Sequence, residues 1–105
     1  MDGKISVKYL QNYIKAKDFR PEMQKDYFLK LAEEVGELSR AMRKGQKATT
    51  PDEINGSIDE ELWDVIYYAL ALANTYEIDL ETVIRAKSRL AEQKYPSPVK
   101  FEEGR

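Results

Sequence analysis

The stretch Leu31-Ala-Glu-Glu-Val-Gly-Glu-Leu38 sets three carboxylates, Glu33, Glu34 and Glu37, inside an apolar repeat of helical spacing. The same offsets return as Glu60, Glu61 and Asp64 in Glu60-Glu-Leu-Trp-Asp-Val65. Around the first copy, Phe28, Leu31, Val35, Leu38 and Met42 form an unbroken three-four stripe. A helix is therefore expected from Pro21, which is tolerated in a first helical turn, to about Lys44, where Gly45 supplies the stop. Glu34 and Glu37 sit beside each other at the edge of that stripe, and Glu61 and Asp64 stand in the same relation to Val65 and Leu72. Two helices packed antiparallel through these stripes would bring four carboxylates to one point.

Outward from this pair, the rest of the chain also reads as helix. Val7, Leu10, Ile14 and Phe19, with Tyr9 and Tyr13, mark a first amphipathic helix from Ile5 to about Phe19, with Ser6 as its N-cap. Gln46 to Gly56 has no periodicity and is expected to be a loop. Ser57-Ile-Asp-Glu60 is a capping-box sequence that opens the third helix. Beyond Asp64 that helix runs Val65-Ile-Tyr-Tyr-Ala-Leu-Ala-Leu-Ala73, apolar on nearly every side, so burial all round is expected. One core in a domain this small cannot cover both sides, and the second face is expected to pack against another subunit. Asp79 caps a fourth helix from Leu80 to about Tyr95 through Val83, Ile84, Leu90 and Ala91, with Lys87 and Lys94 inside its apolar stripe and directed inward. Pro96 and Pro98 end it, leaving about 96–105 as a tail or an arm laid on a neighbouring chain. The expectation is a single all-α domain over 1–105, bundle-like, with four helices and completed by dimer or tetramer packing.

Composition narrows the chemistry. With 105 residues, 42% hydrophobic and 34% charged, the chain is of ordinary globular type. No apolar run approaches the roughly 18 residues of a membrane span, and the N-terminus lacks the order of a signal peptide, so a cytoplasmic protein is expected. The sequence has no cysteine and no histidine, which excludes thiolate sites, histidine-dependent nucleophile systems and Glu-x-x-His di-iron centres. Oxygen ligands remain, and these suit magnesium, manganese or calcium. A net charge of -2 argues against binding a nucleic-acid polymer, though a small anion arriving with its metal fits.

Carboxylates three apart on a helix are most often solvated. Glu60 and Glu61 also lie in a first turn, where the helix dipole favours acids. Glu34 and Glu37 have no such reason, because they lie mid-helix. Glu33 with Glu37, and Glu60 with Asp64, are like charges at i and i+4, each costing roughly 0.2–0.5 kcal/mol. Lys30 and Arg40 share faces with Glu34 and Glu37 and could offset part of this, but no lysine or arginine lies between Asn55 and Ile84 to do so for the second copy. A divalent cation accounts for both copies.

The paired motif resembles that of the MazG-type, all-α nucleoside triphosphate pyrophosphohydrolases: Glu34-Val-Gly-Glu37 and Glu61-Leu-Trp-Asp64, 23 residues apart, with similar surroundings from about Asp26 to Pro96. The resemblance implies a MazG-type fold and cleavage of a nucleoside triphosphate, ribo or deoxy, to monophosphate and pyrophosphate. It implies Mg2+, with Mn2+ as a substitute, held by Glu34, Glu37, Glu61 and Asp64. In this reading Glu34 also belongs to the catalytic set with Glu33, which orients or deprotonates the attacking water. Glu60 could do the same but has a capping role. The substrate set is Lys30, Lys87 and Lys94, with Trp63 and Tyr68 available to stack on the base, although aromatics at helical spacing more often belong to the core. Lys87 matches the family's lysine, while Lys94 replaces its arginine and Ala91 its asparagine, a departure that bears on base selectivity. The self-association expected is a homodimer or a dimer of dimers. The competing reading is a non-catalytic helical dimerisation or protein-interaction module with a structural or vestigial metal site.

Overall fold

A computed structural model describes residues 3–104; Met1, Asp2 and Arg105, the ends of the expected 1–105 domain and tail, lie outside the described residues. The elements are α1 (Val7–Lys17), α2 (Gln24–Lys44), α3 (Ile58–Thr75) and α4 (Leu80–Lys94), with a single 3-10 turn at Pro51–Glu53 and no strand among the described residues. None of these helices is long and apolar enough to cross a membrane.

Local sequence chemistry sets most boundaries. The Ser6 hydroxyl accepts the Tyr9 N–H at 3.0 Å and starts α1. Gly45, in the left-handed region at φ 64°, closes α2, as a residue without Cβ can at little cost. Asp79 caps α4 through the Glu81 N–H. The start of α2 differs from expectation. Pro21 does not open it; the Met23 N–H donates to the Arg20 carbonyl at 2.9 Å, so Pro21 and Glu22 form the middle of a turn. Tyr27 holds that turn, its hydroxyl donating to Asp18 at 2.8 Å and accepting the Arg20 N–H at 3.1 Å. Burial, with the hydrogen bond to Asp18 and its charge, pushes the Tyr27 hydroxyl up to about 12.

The two long helices are antiparallel. Gln24 Nε2 donates to the Thr75 carbonyl at one end of the pair, and the Ile58 N–H donates to the Gln46 carbonyl at the other. Ile14, Tyr27, Leu70 and Ala71 form the core, with Val7, Leu10, Met23, Tyr67, Tyr68, Leu72 and Leu80 packed around it. The row of α2 turned inward is Tyr27, Leu31, Glu34, Leu38 and Ala41. Three of the five residues of the expected stripe point outward instead: Phe28, Val35 and Met42 are 57%, 50% and 61% exposed. The apolar sector of α2 is wider than one helix contact, and α3 covers only its inner row.

The same incompleteness appears on α3 and α4. Leu70, Ala71 and Ala73 of α3 are buried, but Leu62, Trp63 and Ile66 are open to solvent, so burial all round does not hold within one chain. On α4 no residue is buried, because the helix packs on α1 rather than on the α2–α3 pair. Lys87 and Lys94 are accordingly exposed, contrary to the inward orientation read from the stripe. The tail is laid on its own helix: Glu92 accepts the Phe101 N–H and Arg85 pairs with Glu103.

A polar clasp ties α1 to the junction of α3 and α4. Buried Gln11 donates to Asn74 Oδ1 at 3.1 Å and to the Ile78 carbonyl at 2.8 Å, and its own Oε1 accepts the Leu80 N–H at 3.0 Å. Asn74 returns a bond to the Gln11 carbonyl at 3.0 Å. Removing one partner from such a buried set strands the others, which costs roughly 1–3 kcal/mol for each unsatisfied group. Gln11→Ala should therefore lower the urea midpoint of unfolding clearly, whereas Gln93→Ala, on the open α4 surface, should leave it within error.

Candidate metal centre

Glu34 lies halfway along α2, and Glu61 and Asp64 lie in the first two turns of α3. The antiparallel pairing brings one carboxylate oxygen of each to within 4.8 Å of the others. Two full charges at that separation repel by roughly 3 kcal/mol at an effective dielectric of about 20. No base forms an ion pair with any of the three among the described residues. Lys30, expected to pair with Glu34, is bonded to Glu33 at 3.4 Å instead, and Arg40 makes no ion pair with Glu37 among the described residues.

Glu61 bears most of the strain. It is buried, and its Oε2 has no hydrogen-bond partner among the described residues. Burial pushes its carboxyl up to about 7, with a hydrogen bond to and repulsion from Glu34 next, then repulsion from Asp64 and Glu60. Asp64 is raised too, by burial first and then by Glu34 and Glu60. A buried carboxylate with one orphaned oxygen, facing two others, has the donor set that a hard divalent cation fits.

The structure brings three of the four expected ligands together. Glu37 is one turn along α2 from Glu34, exposed, and lines a cleft of about 160 Å³ with Arg40, Ala41, Lys44, Gln46, Gly56 and Glu61. On the other side of the carboxylates, Lys30 and Tyr68 line a second cleft of about 180 Å³ with Asp18, Arg20, Met23, Asp26 and Tyr27. Lys30 Nζ lies 5.8 Å from the centre of the Tyr68 ring. Trp63 is not core: it is partly open and meets Tyr67 edge-on at 6.0 Å. Glu60 does act at the helix start, but its Oε1 accepts the Gly56 N–H at 2.9 Å rather than the Ser57 N–H of a closed capping box. Glu33 is exposed and held by Lys30. Lys87 and Lys94, on α4, are not brought to this site within the chain.

Sequence reasoning passed over Asp18, Arg20, Asp26 and Tyr27. The available signal was the spacing of Asp26 and Tyr27 from Lys30, one turn before Glu34 on the same helix. The expected loop from Gln46 to Gly56 carries its own hydrogen bonds. Asp59 accepts the Ala48 N–H at 2.7 Å, a bond that holds its carboxyl below the usual range, and Glu53 gathers Thr49 and Thr50.

A family model described as the MazG nucleotide pyrophosphohydrolase domain matches residues 22–97, which include both acidic motifs. The chain belongs to this family. Two crystal structures of iMazG from Vibrio DAT 722 share its fold. One, with a C-terminal tag, is 46% identical with a TM-score of 0.80 over 84% of this chain and 99% of that one. The other, with an N-terminal tag, is 46% identical with a TM-score of 0.82 over 89% and 100%. The uncharacterized protein YpjD of Bacillus subtilis (strain 168) is 41% identical over 54 residues, 50% of this chain and 49% of that protein. The chain thus spans about half the length of that curated relative, and the matched MazG fold is what carries Glu34, Glu61 and Asp64 here.

The raised Glu61 carboxyl has a definite consequence for stability. Below about pH 4.5 it is protonated in both the folded and unfolded states; as pH rises towards about 7 the unfolded chain loses the proton while the folded one keeps it. Metal-free protein should lose stability across that window, and Glu61→Gln should flatten the loss and raise the melting temperature at pH 8, as followed by circular dichroism in chelator.

Proposed function

We propose that this MazG-family chain is a Mg2+-dependent nucleoside triphosphate pyrophosphohydrolase, which adds water across the anhydride between the α- and β-phosphates to release a monophosphate and pyrophosphate. The observation that carries the reading is the orphaned, buried Glu61 oxygen facing Glu34 and Asp64. Mn2+ is a plausible substitute on the same oxygen donors. Glu34, Glu61 and Asp64 would hold the cation, with Glu37 turning in from the rim. The bound ion would supply neutralisation of phosphate oxygens and a water of lowered pKa.

The remaining roles belong to the chain's own side chains. Glu33 orients or deprotonates the water, since Glu60 is already taken by the Gly56 N–H. Lys30 fixes Glu33 and, with Tyr68, faces the cleft that would take the nucleoside, with Tyr27 as its second aromatic wall; Trp63 lies outside that lining and meets Tyr67 instead. Lys87 and Lys94 would reach phosphates only from a second copy, because α4 stands apart from the carboxylates in its own chain. A cytoplasmic setting, where Mg2+ and nucleotides are both at hand, agrees with this chemistry.

A second copy is also what the uncovered apolar rows require. Phe28, Val35 and Met42 on α2 and Leu62 and Ile66 on α3 form exposed surfaces of the sort that self-association buries. The assembly proposed is a homodimer or a dimer of dimers. Sedimentation of the wild type should show a dimer or tetramer, and Val35→Glu should shift it to monomer with its helix content intact; a wild-type monomer would remove this part of the reading.

Turnover decides between an enzyme and a non-catalytic helical module. Pyrophosphate release from a panel of ribo- and deoxyribonucleoside triphosphates with Mg2+ should be measurable for at least one, and should fall at least about 100-fold in Glu34→Gln and Glu37→Gln. Absence of release with every triphosphate favours the module.

A further inference from the structure

Resting on the proposed reaction, we infer that Arg40 and Lys44 form a dedicated seat for the pyrophosphate end of the substrate, on the opposite side of the carboxylates from the Lys30–Tyr68 cleft. Both line the cleft shared by Glu37 and Glu61, the latter with its buried Oε2 unpartnered. They recur with Glu37 along one face of α2, at offsets of three and seven residues. No ion pair engages either cation among the described residues, although Glu37 is a natural partner for Arg40. A metal-bound polyphosphate lying in this cleft would give both cations an anionic partner.

The competing sources of positive charge at this end are weak. The N–H groups of Gly56, Ser57, Ile58, Glu60 and Glu61 at the start of α3 donate to Glu60, Ile54, Gln46 and Ser57, so the helix terminus has little left for an anion. The end of α2 presents carbonyls, which disfavour an anion. Within one chain the attraction at this end is thus left to Arg40, by its forked donors, and Lys44, as a point charge. The two clefts also differ in kind: that of Lys30 has Tyr27 and Tyr68 in its wall, whereas that of Arg40 has no aromatic residue and suits a group without a ring. The substrate then lies along α2 with its base towards Asp26 and its last phosphate towards Lys44.

The test is calorimetric titration of the full chain in saturating Mg2+ with inorganic pyrophosphate, and separately with the nucleoside monophosphate of the best substrate or, if none is turned over, with each of the common ones. Wild type should bind pyrophosphate, and Arg40→Gln combined with Lys44→Gln should weaken it by about tenfold or more while leaving monophosphate binding, where present, unchanged. Arg43→Gln, on the same turn but outside the cleft and bonded to Ser39, controls for net charge and should change neither. Lack of pyrophosphate binding by wild type, an unaltered double variant, or equal weakening by Arg43→Gln overturns the inference. Triphosphate turnover by wild type is read separately: its absence removes the proposed reaction, whereas its presence with an unaltered double variant removes only the seat.

Discussion

Three carboxylates held within 4.8 Å of one another, one of them buried, are the constraint on which the rest of this molecule depends. No packing benefit explains them, since apolar side chains in the same row of α2 and α3 would remove the repulsion and add burial. The antiparallel pair is nevertheless built so that Glu61 is pressed between its own helix start and the middle of α2. The stability forgone there is sensible only if something else neutralises the charge during function. On the proposed reading a divalent cation does so, while Arg40 and Lys44 on the same helix enter no ion pair among the described residues.

The scaffold around the site is hydrogen-bonded at both ends of the helix pair. Ser57 and Gly56 fix the start of α3, Gln46 bonds back to it, and Asp59 pins the intervening loop through Ala48. At the far end, the clasp of Gln11 with Asn74 and the Tyr27 hydroxyl hold α1 against the pair. The carboxylates therefore meet on two helices whose relative position is set from both ends, as positioning a small ion demands. What one chain does not supply is cover for the outer rows of α2 and α3, or for α4.

The helices and the carboxylate pairing were legible because they depend on short-range rules. Ser6, Ser57 and Asp79 cap through bonds two or three residues away, and Gly45 needs only its missing Cβ. The doubled acidic spacing survives any error in boundary. Features set by distant partners were not legible. The start of α2 depends on a tyrosine hydroxyl reaching back to Asp18 and Arg20. The inner row of α2 was misplaced because Phe28, Val35 and Met42 are as apolar as the row that α3 chose. The exposure of Lys87 and Lys94 is not legible because an amphipathic pattern says which face is apolar, not what covers it. Gln11 and Asn74 carry no local signal, and only their mutual bonds make them core.

On the proposed reading, Glu34, Glu61 and Asp64 form one cation site that is loaded at the expense of a proton. Calorimetric titration of Mg2+ or Mn2+ into the protein, repeated in buffers of different ionisation enthalpy, measures the ion and the proton together. With Glu61 titrating at about 7, binding at pH 6 should release close to one proton per ion, and the number should fall as pH rises past 7. Saturable binding with no proton release at pH 6, or no binding at all, would contradict it.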